Sequence, residues 1–139
     1  MQPDSEIQSD REFHDARYVR LQSDPARQVE REVLGREVGL NGFTTIEQAE
    51  TLLDFLGLGP DQRLLDIGAG RGWPGSLLAE SSGCRLTCTD IPLNGLIAAK
   101  QILADRGLRA RSEVVAADAV TLPFRSATFD AVTHADVFC

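Results

Sequence analysis

The run Leu64-Leu65-Asp66-Ile67-Gly68-Ala69-Gly70-Arg71-Gly72-Trp73-Pro74-Gly75 limits what this chain can fold into more than any other stretch. Strand-type residues lead without interruption into glycines at alternate positions. Pro74 follows with a φ suited to a helix start, where its missing N–H costs nothing. The pattern predicts a strand, a tight turn and a helix. A turn with φ above zero, or backbone that must touch a ligand, has no room for a Cβ, so glycine is wanted there. The free N–H groups of the helix start then face whatever lies above the sheet. Spacing narrows the choice of ligand. In the dinucleotide fingerprint G-x-G-x-x-G the third glycine lets helix and strand pack closely; counted from Gly68, that position is Trp73, a poor fit.

From this run onward strand and helix patterns alternate. The first strand is Arg63 to Ile67, and the helix after Pro74 carries Leu77, Leu78 and Ala79 before Ser81-Ser82-Gly83 breaks it. The second strand, Arg85 to Thr89, ends on Asp90, and its helix holds Leu96, Ile97, Ala98, Ala99, Ile102 and Leu103 up to Gly107. A third strand is expected over Ser112 to Ala116 and a fourth from Phe129 to about Thr133. Strands of nearly continuous apolar character between helices imply an α/β fold, a parallel sheet covered on both faces. Right-handed crossovers place strands two and three on one side of strand one and strand four on the other, giving the order 3-2-1-4. The crevice then opens above strand one, where the chain reverses, and the glycine turn lies there.

Upstream the chain reads as helices alone. Residues 1 to about 10 are polar, lack periodicity and are expected to fray. Arg11 to Arg20, with Phe13, Ala16 and Tyr18 among charges, reads as a short helix or an ordered arm. Asp24-Pro25 predicts a helix capped by Asp24, with Val29, Val33, Leu34 and Val38 as its apolar face and Gly39 to Gly42 as its end. Thr44 and Glu47 have the spacing of a capping box for a second helix, whose face is Ile46, Ala49, Leu52, Leu53 and Leu56. The chain thus divides into an N-terminal arm with leading helices, 1–60, and a sheet portion, 61–139.

The length of 139 residues allows one domain with a real core. A net charge of −7, with arginines interleaved among acids, argues against a nucleic-acid binder that tracks phosphates, so a small or neutral substrate is expected. No apolar run approaches a membrane span and the start Met1-Gln2-Pro3-Asp4 is polar, so no signal peptide, membrane partner or nucleic-acid partner is expected, and a cytoplasmic location is the expectation. The odd set Cys84, Cys88 and Cys139, without C-x-x-C spacing, fits a reducing compartment and neither a disulfide scaffold nor a metal site. Cys84 and Cys88 share one strand face and read as small buried hydrophobes.

Asp66-Ile67-Gly68-Ala69-Gly70-Arg71-Gly72 resembles the first motif of the class I, Rossmann-like methyltransferases that use S-adenosylmethionine. Three later segments follow in order and at fitting distances: Asp90-Ile91, Ala116 to Phe124 with Asp118 at its strand end, and Phe129-Asp130-Ala131-Val132. The resemblance covers about Leu64 to Val137. It implies that the backbone of Gly68, Ala69 and Gly70 holds the methionine part, with Asp66 behind it. Asp66 also reads as a strand-end residue satisfying the turn's own N–H groups.

Asp90, 20 residues after Gly70, is placed to accept from both ribose hydroxyls, or else to cap the helix near Pro92; Ile91 would lie against the adenine. By the same resemblance Asp118 accepts from the adenine amino group and the Ala119 N–H meets a ring nitrogen, unless Asp118 is a plain loop acid. Gly42, Phe43, Thr44 and Tyr18 are further candidates near the methionine end. Trp73 either walls the pocket or packs the turn. His134 and Asp136 past the end of strand four are the only candidates there for a base; His134 could instead act through its backbone, and it also reads as structural.

The expected function is a methyltransferase acting on a small-molecule acceptor, here as its cofactor-binding portion and inactive alone. The rivals are a binding module without catalysis and a nicotinamide-dependent dehydrogenase domain. A complete sheet of this family would need strands beyond the fourth. The chain therefore reads as part of a longer product, or as one whose open fourth-strand edge is closed by a partner or by self-association.

Overall fold

The computed structural model of the protein describes residues 3–137. Four parallel strands, β1 (Arg63–Ile67), β2 (Arg85–Asp90), β3 (Ser112–Ala116) and β4 (Ala131–His134), form one sheet in the order β3-β2-β1-β4. This is the order the crossover rule required, and β1 lies at its centre between β2 and β4. Helices α4 (Gly75–Ser82) and α5 (Leu93–Asp105) follow β1 and β2, and a short 3-10 turn over Arg109–Arg111 leads into β3. The main core lies under β1 and β2, where Leu64, Leu78, Leu86 and Leu103 are buried together with Cys84 and Cys88. Both thiols are free and buried, in line with their reading as small hydrophobes.

The three leading helices are α1 (Pro3–Leu21), α2 (Asp24–Leu34) and α3 (Ile46–Leu56), and each departs from the reading of its sequence. From Pro3 onward the start that was expected to fray is helical and continuous with the Arg11–Arg20 segment. A polar helix of this kind draws its support from docking rather than from an apolar stripe. Here Asp15 Oδ1 accepts from the Asn94 N–H at 3.1 Å, and Gln22 Nε2 donates to the Asn94 carbonyl at 3.2 Å, tying α1 to the start of α5. On α2 the cap is Ser23, not Asp24, and the helix stops at Leu34 with Gly35 left-handed at φ 75°, so Val38 lies outside it.

The expected apolar face of α2 is largely turned outward, Val29 being 59% and Val33 73% exposed, while Glu30 is buried. On α3 the capping box is formed by Thr45 and Gln48, one residue later than expected, because the side chain of Thr44 is engaged elsewhere.

A second core cluster joins the leading segment to the sheet portion: Val38 and Ala49 pack with Trp73 and Leu77. Trp73 thereby packs the turn against the leading helices, and its Nε1 donates to the Thr44 carbonyl at 2.9 Å. β4 begins at Ala131 rather than Phe129, whose ring instead meets Phe124 edge-on at 5.0 Å between centroids. On α5, Ile97 is 64% exposed, while Leu96, Ala98, Ala99, Ile102 and Leu103 are buried. Among the described residues no helix is long and apolar enough to cross a membrane.

Leu64 has no exposed surface at the centre of the sheet. Leu64→Ala should therefore cost about 2–5 kcal/mol of folding stability. Urea unfolding of the two proteins checks this through the displacement of the midpoint.

Candidate functional site

The glycine turn is fixed from below and from the side before any ligand is considered. The Ala69 N–H donates to the Thr89 carbonyl at 3.0 Å, which ties the turn to β2. Gly68 and Gly70 sit at φ 66° and 52°, where a Cβ carries strain. The Gly70 N–H donates to Asp90 Oδ2 at 2.8 Å, and the Ile91 N–H donates to Asp90 Oδ1, also at 2.8 Å. Burial raises the Asp90 carboxyl above its ordinary range, against the lowering effect of those two N–H groups. Close packing of helix on strand, which the dinucleotide pattern assigns to its third glycine, falls here to Gly75. A Cβ at Gly75 would stand 2.7 Å from Asp66 Oδ2.

A cavity of about 380 Å³ opens above β1 and is walled by Gly68, Asp90, Ile91 and Asp118 together with His14 and Tyr18 of α1 and Asp136 beyond β4. A wider recess of about 680 Å³ adjoins it and shares Arg11, Ile91 and Asp118. Gly68, Asp90, Ile91 and Asp118 are thus brought together as the sequence pattern required. Asp118 also closes its own loop, accepting at Oδ1 from the Val120 N–H at 2.9 Å.

The other candidates lie elsewhere. Asp66 is fully buried beneath the turn, where Oδ1 accepts from Thr133 Oγ1 at 2.8 Å. Its Oδ2 lies against Gly75 without a hydrogen bond of good geometry. It neither walls the cavity nor satisfies the turn's N–H groups. The N–H groups of Ala69 and Gly70 are engaged by Thr89 and Asp90, so of the three turn residues only Gly68 lines the cavity. Ala119 and His134 are exposed and outside the cavity wall; His134 ends β4 opposite Ile67.

Tyr18 and Asp136, both candidates from the sequence, also line the cavity. Tyr18 is buried on α1, and a Cβ at Gly70 would lie 2.8 Å from its hydroxyl. Burial first, and then the charge of Asp90, pushes the Tyr18 hydroxyl up to about 12. Its hydrogen-bond partner is the Asn41 side chain, whose Nδ2 would lie 2.4 Å from the same Cβ. Asp136 Oδ2 accepts from the Phe43 and Thr44 N–H groups at 2.8 and 3.1 Å and from Thr44 Oγ1 at 3.1 Å, fastening the loop before α3 to the end of β4. Phe43 and Thr44 therefore act on the loop, and the Thr44 candidate is explained by Asp136 rather than by a cap.

With this geometry in place, residues 65–139, more than half of the chain, match the family described as "Methyltransferase domain". The chain belongs to the class I S-adenosylmethionine-dependent methyltransferases. This chain is similar to 24-methylenesterol C-methyltransferase 2 of Oryza sativa subsp. japonica, at 32% identity over 65% of this chain and 25% of the relative. It also resembles the glycine/sarcosine/dimethylglycine N-methyltransferase of Actinopolyspora halophila, at 32% identity over 58% of this chain and 14% of that protein. Among solved structures, a methyltransferase from Geobacter sulfurreducens in complex with S-adenosylhomocysteine superposes with a TM-score of 0.54 at 25% identity, over 66% of this chain and 36% of the other. The chain therefore spans a quarter or less of the length of these two curated relatives.

The residues of the methyltransferase cavity fit the cofactor's chemistry. Each Asp90 oxygen accepts one N–H and keeps a lone pair for a hydroxyl donor, and Asp118 offers a further acceptor across the same cavity. Gly68 leaves the floor without a side chain. Asp90, Asp118 and Asp136 line the cavity, an acidic set that suits a ligand whose sulfonium and ammonium are positive.

Burial pushes the Asp66 carboxyl from its ordinary 3.8 up to about 7, against the lowering influence of the Thr133 hydroxyl and the Gly75 N–H, and the charge of Asp90 adds to the rise. A carboxyl with a raised folded-state pKa binds a proton more tightly when folded. Its contribution to stability is therefore full below about 3.8 and falls as pH rises toward about 7. Asp66→Asn should abolish this loss, so the variant gains on wild type across that window. Thermal unfolding of both proteins at a series of pH values measures the gap, which should widen with pH and level off above neutrality.

Proposed function

We propose that this chain provides the methyl-donor site of an enzyme that methylates a small molecule. The observation that carries the reading is that one cavity gathers the glycine floor at Gly68, the strand-end acids Asp90 and Asp118, and the apolar Ile91 between them. Asp90 would hold the ribose hydroxyls, Ile91 would lie against the adenine, and Asp118 would accept from its amino group. When bound, S-adenosylmethionine supplies an activated methyl group on a sulfonium. Methyl transfer is an in-line displacement, so the chain's main task is to orient the donor and exclude water.

Tyr18 lines the cavity from α1, and its hydroxyl lies with the Asn41 amide close over Gly70 of the turn. His134 stands outside the wall and Asp136 Oδ2 is committed to the loop before α3, so the work assigned to this chain is binding and orientation rather than proton transfer. A small-molecule acceptor is supported by the relatives, whose names specify a sterol, glycine and sarcosine. The reading places the protein in the cytoplasm, in keeping with two free, buried thiols.

The electrostatics disfavour a nicotinamide dinucleotide at the same site. Its pyrophosphate needs free backbone N–H groups, and those of Ala69 and Gly70 already donate to Thr89 and Asp90. Calorimetric titration should show binding of S-adenosylhomocysteine and none of NAD; the reverse result would sink the reading. Asp90→Ala should weaken the homocysteine compound by roughly 1.5–3 kcal/mol through loss of charge-assisted bonds. An unchanged affinity would leave Asp90 with only its structural role at the turn.

A further inference from the structure

We propose that Glu30 on α2 and Arg71 in the glycine turn form a buried clamp that positions the roof of the cofactor site, with Glu30 as a positioning residue. The inference rests on the reading of the cavity as that site.

Both side chains are almost wholly buried, 7% and 3% exposed, with Arg71 Nη2 3.5 Å from Glu30 Oε2. Removing two charges from water is costly, and apolar residues of similar volume commonly stabilise a core at least as well. Packing therefore does not account for the pair. Its partners show what it holds. Glu30 Oε1 accepts from three successive backbone N–H groups, Val38 at 2.8 Å, Gly39 at 2.6 Å and Leu40 at 3.0 Å. Arg71 Nη1 donates to the carbonyl of the same Leu40 at 3.2 Å.

Segment 38–40 is thus gripped from both sides and lies directly on the turn. A Cβ at Gly39 would stand 2.8 Å from the Arg71 carbonyl oxygen. The next residue is Asn41, whose amide covers Gly70 and bonds Tyr18, the aromatic wall of the cavity. Glu30 touches no part of the cavity, yet the segment it grips leads into Asn41, the neighbour of the cavity residue Tyr18. Four residues past the gripped segment, the Thr44 carbonyl receives the indole N–H of Trp73, the one tryptophan of the chain. That indole is 2% exposed, so its fluorescence reports whether the segment stays docked.

The test uses Glu30→Gln, which retains an amide oxygen for the three N–H groups and removes the charge facing Arg71, and Arg71→Met, which retains length. Each should make Trp73 severalfold more open to acrylamide quenching. Each should also raise the dissociation constant of S-adenosylhomocysteine about tenfold, at a temperature well below the melting midpoint where lost stability alone leaves affinity unmoved. The double variant should bind no more weakly than the worse single one, because the two act as one unit.

Unaltered quenching overturns the clamp, and so does altered quenching with unaltered affinity, or effects that simply add. If wild type itself fails to bind S-adenosylhomocysteine, the functional reading falls, and quenching alone then decides whether the clamp holds the segment. Should neither variant fold, hydrogen exchange on the wild type decides. Val38, Gly39 and Leu40 amides as slow as those of β1 support the clamp, and exchange at the rate of an open loop overturns it.

Discussion

The Asp90 carboxylate is the joint on which the rest of the site depends. Its oxygens take the N–H of Gly70 from the turn over β1 and the N–H of Ile91 from its own strand end, while its carbonyl takes the N–H of Ala117 beyond β3. One residue therefore ties the tops of three parallel strands. Parallel strands are joined by long crossovers, so nothing in their connections brings their loops together. Asp90 supplies that closure at the switch point, where the crevice opens. The cavity is a consequence of it: Gly68, Ile91 and Asp118 converge because the loops that carry them share one acceptor.

The leading helices are organised by the turn rather than by their own patterns. Trp73 and Leu77 offer an apolar surface on which Val38 and Ala49 close, and Arg71 draws the buried Glu30 of α2 toward it. A helix that buries a glutamate and exposes two valines has been oriented by the partner of its polar residue, and its hydrophobic face has yielded. Docking of α1 follows a similar logic at smaller scale. The carboxylate of Asp15 meets a backbone N–H at the start of α5, where unpaired donors favour negative charge.

Strand order, element sequence and the four cavity residues were legible because they rest on short-range patterns: apolar runs, glycine punctuation and an acid at each strand end. Boundaries slipped by one residue where two groups compete for the same role, as at Thr44 and Thr45. Which one caps α3 depends on Asp136, 92 positions away from Thr44. The Glu30–Arg71 pair was hidden for the same reason. Glu30 stands in a run of alternating charges, and nothing local separates it from the exposed Glu32 beside it. That the Ala69 and Gly70 N–H groups donate to Thr89 and Asp90 was hidden too, because sequence shows that a turn has N–H groups and not where they point. Gly75 had its signal in plain view, as a glycine at the first turn of a helix on a strand. The fingerprint's fixed spacing drew the eye to Trp73 instead.

The acids of the site differ in what their surroundings allow. Asp90 has two N–H donors against its burial, and Asp118 is open to water at the cavity wall. Asp66 sits beneath them with one hydroxyl as its hydrogen bond and takes its proton up near neutrality, partly because Asp90 is already negative. Separation of this kind by environment is how neighbouring carboxyls take up different roles. A neutral Asp66 can close the strand end against Thr133 and Gly75 without adding a further buried charge beside Asp90. The charge in the site is then concentrated at the cavity wall, on the residues whose oxygens a positively charged methyl donor would meet. Where the turn meets the cavity it does so at Gly68, without charge or side chain, so a donor would rest there on backbone alone.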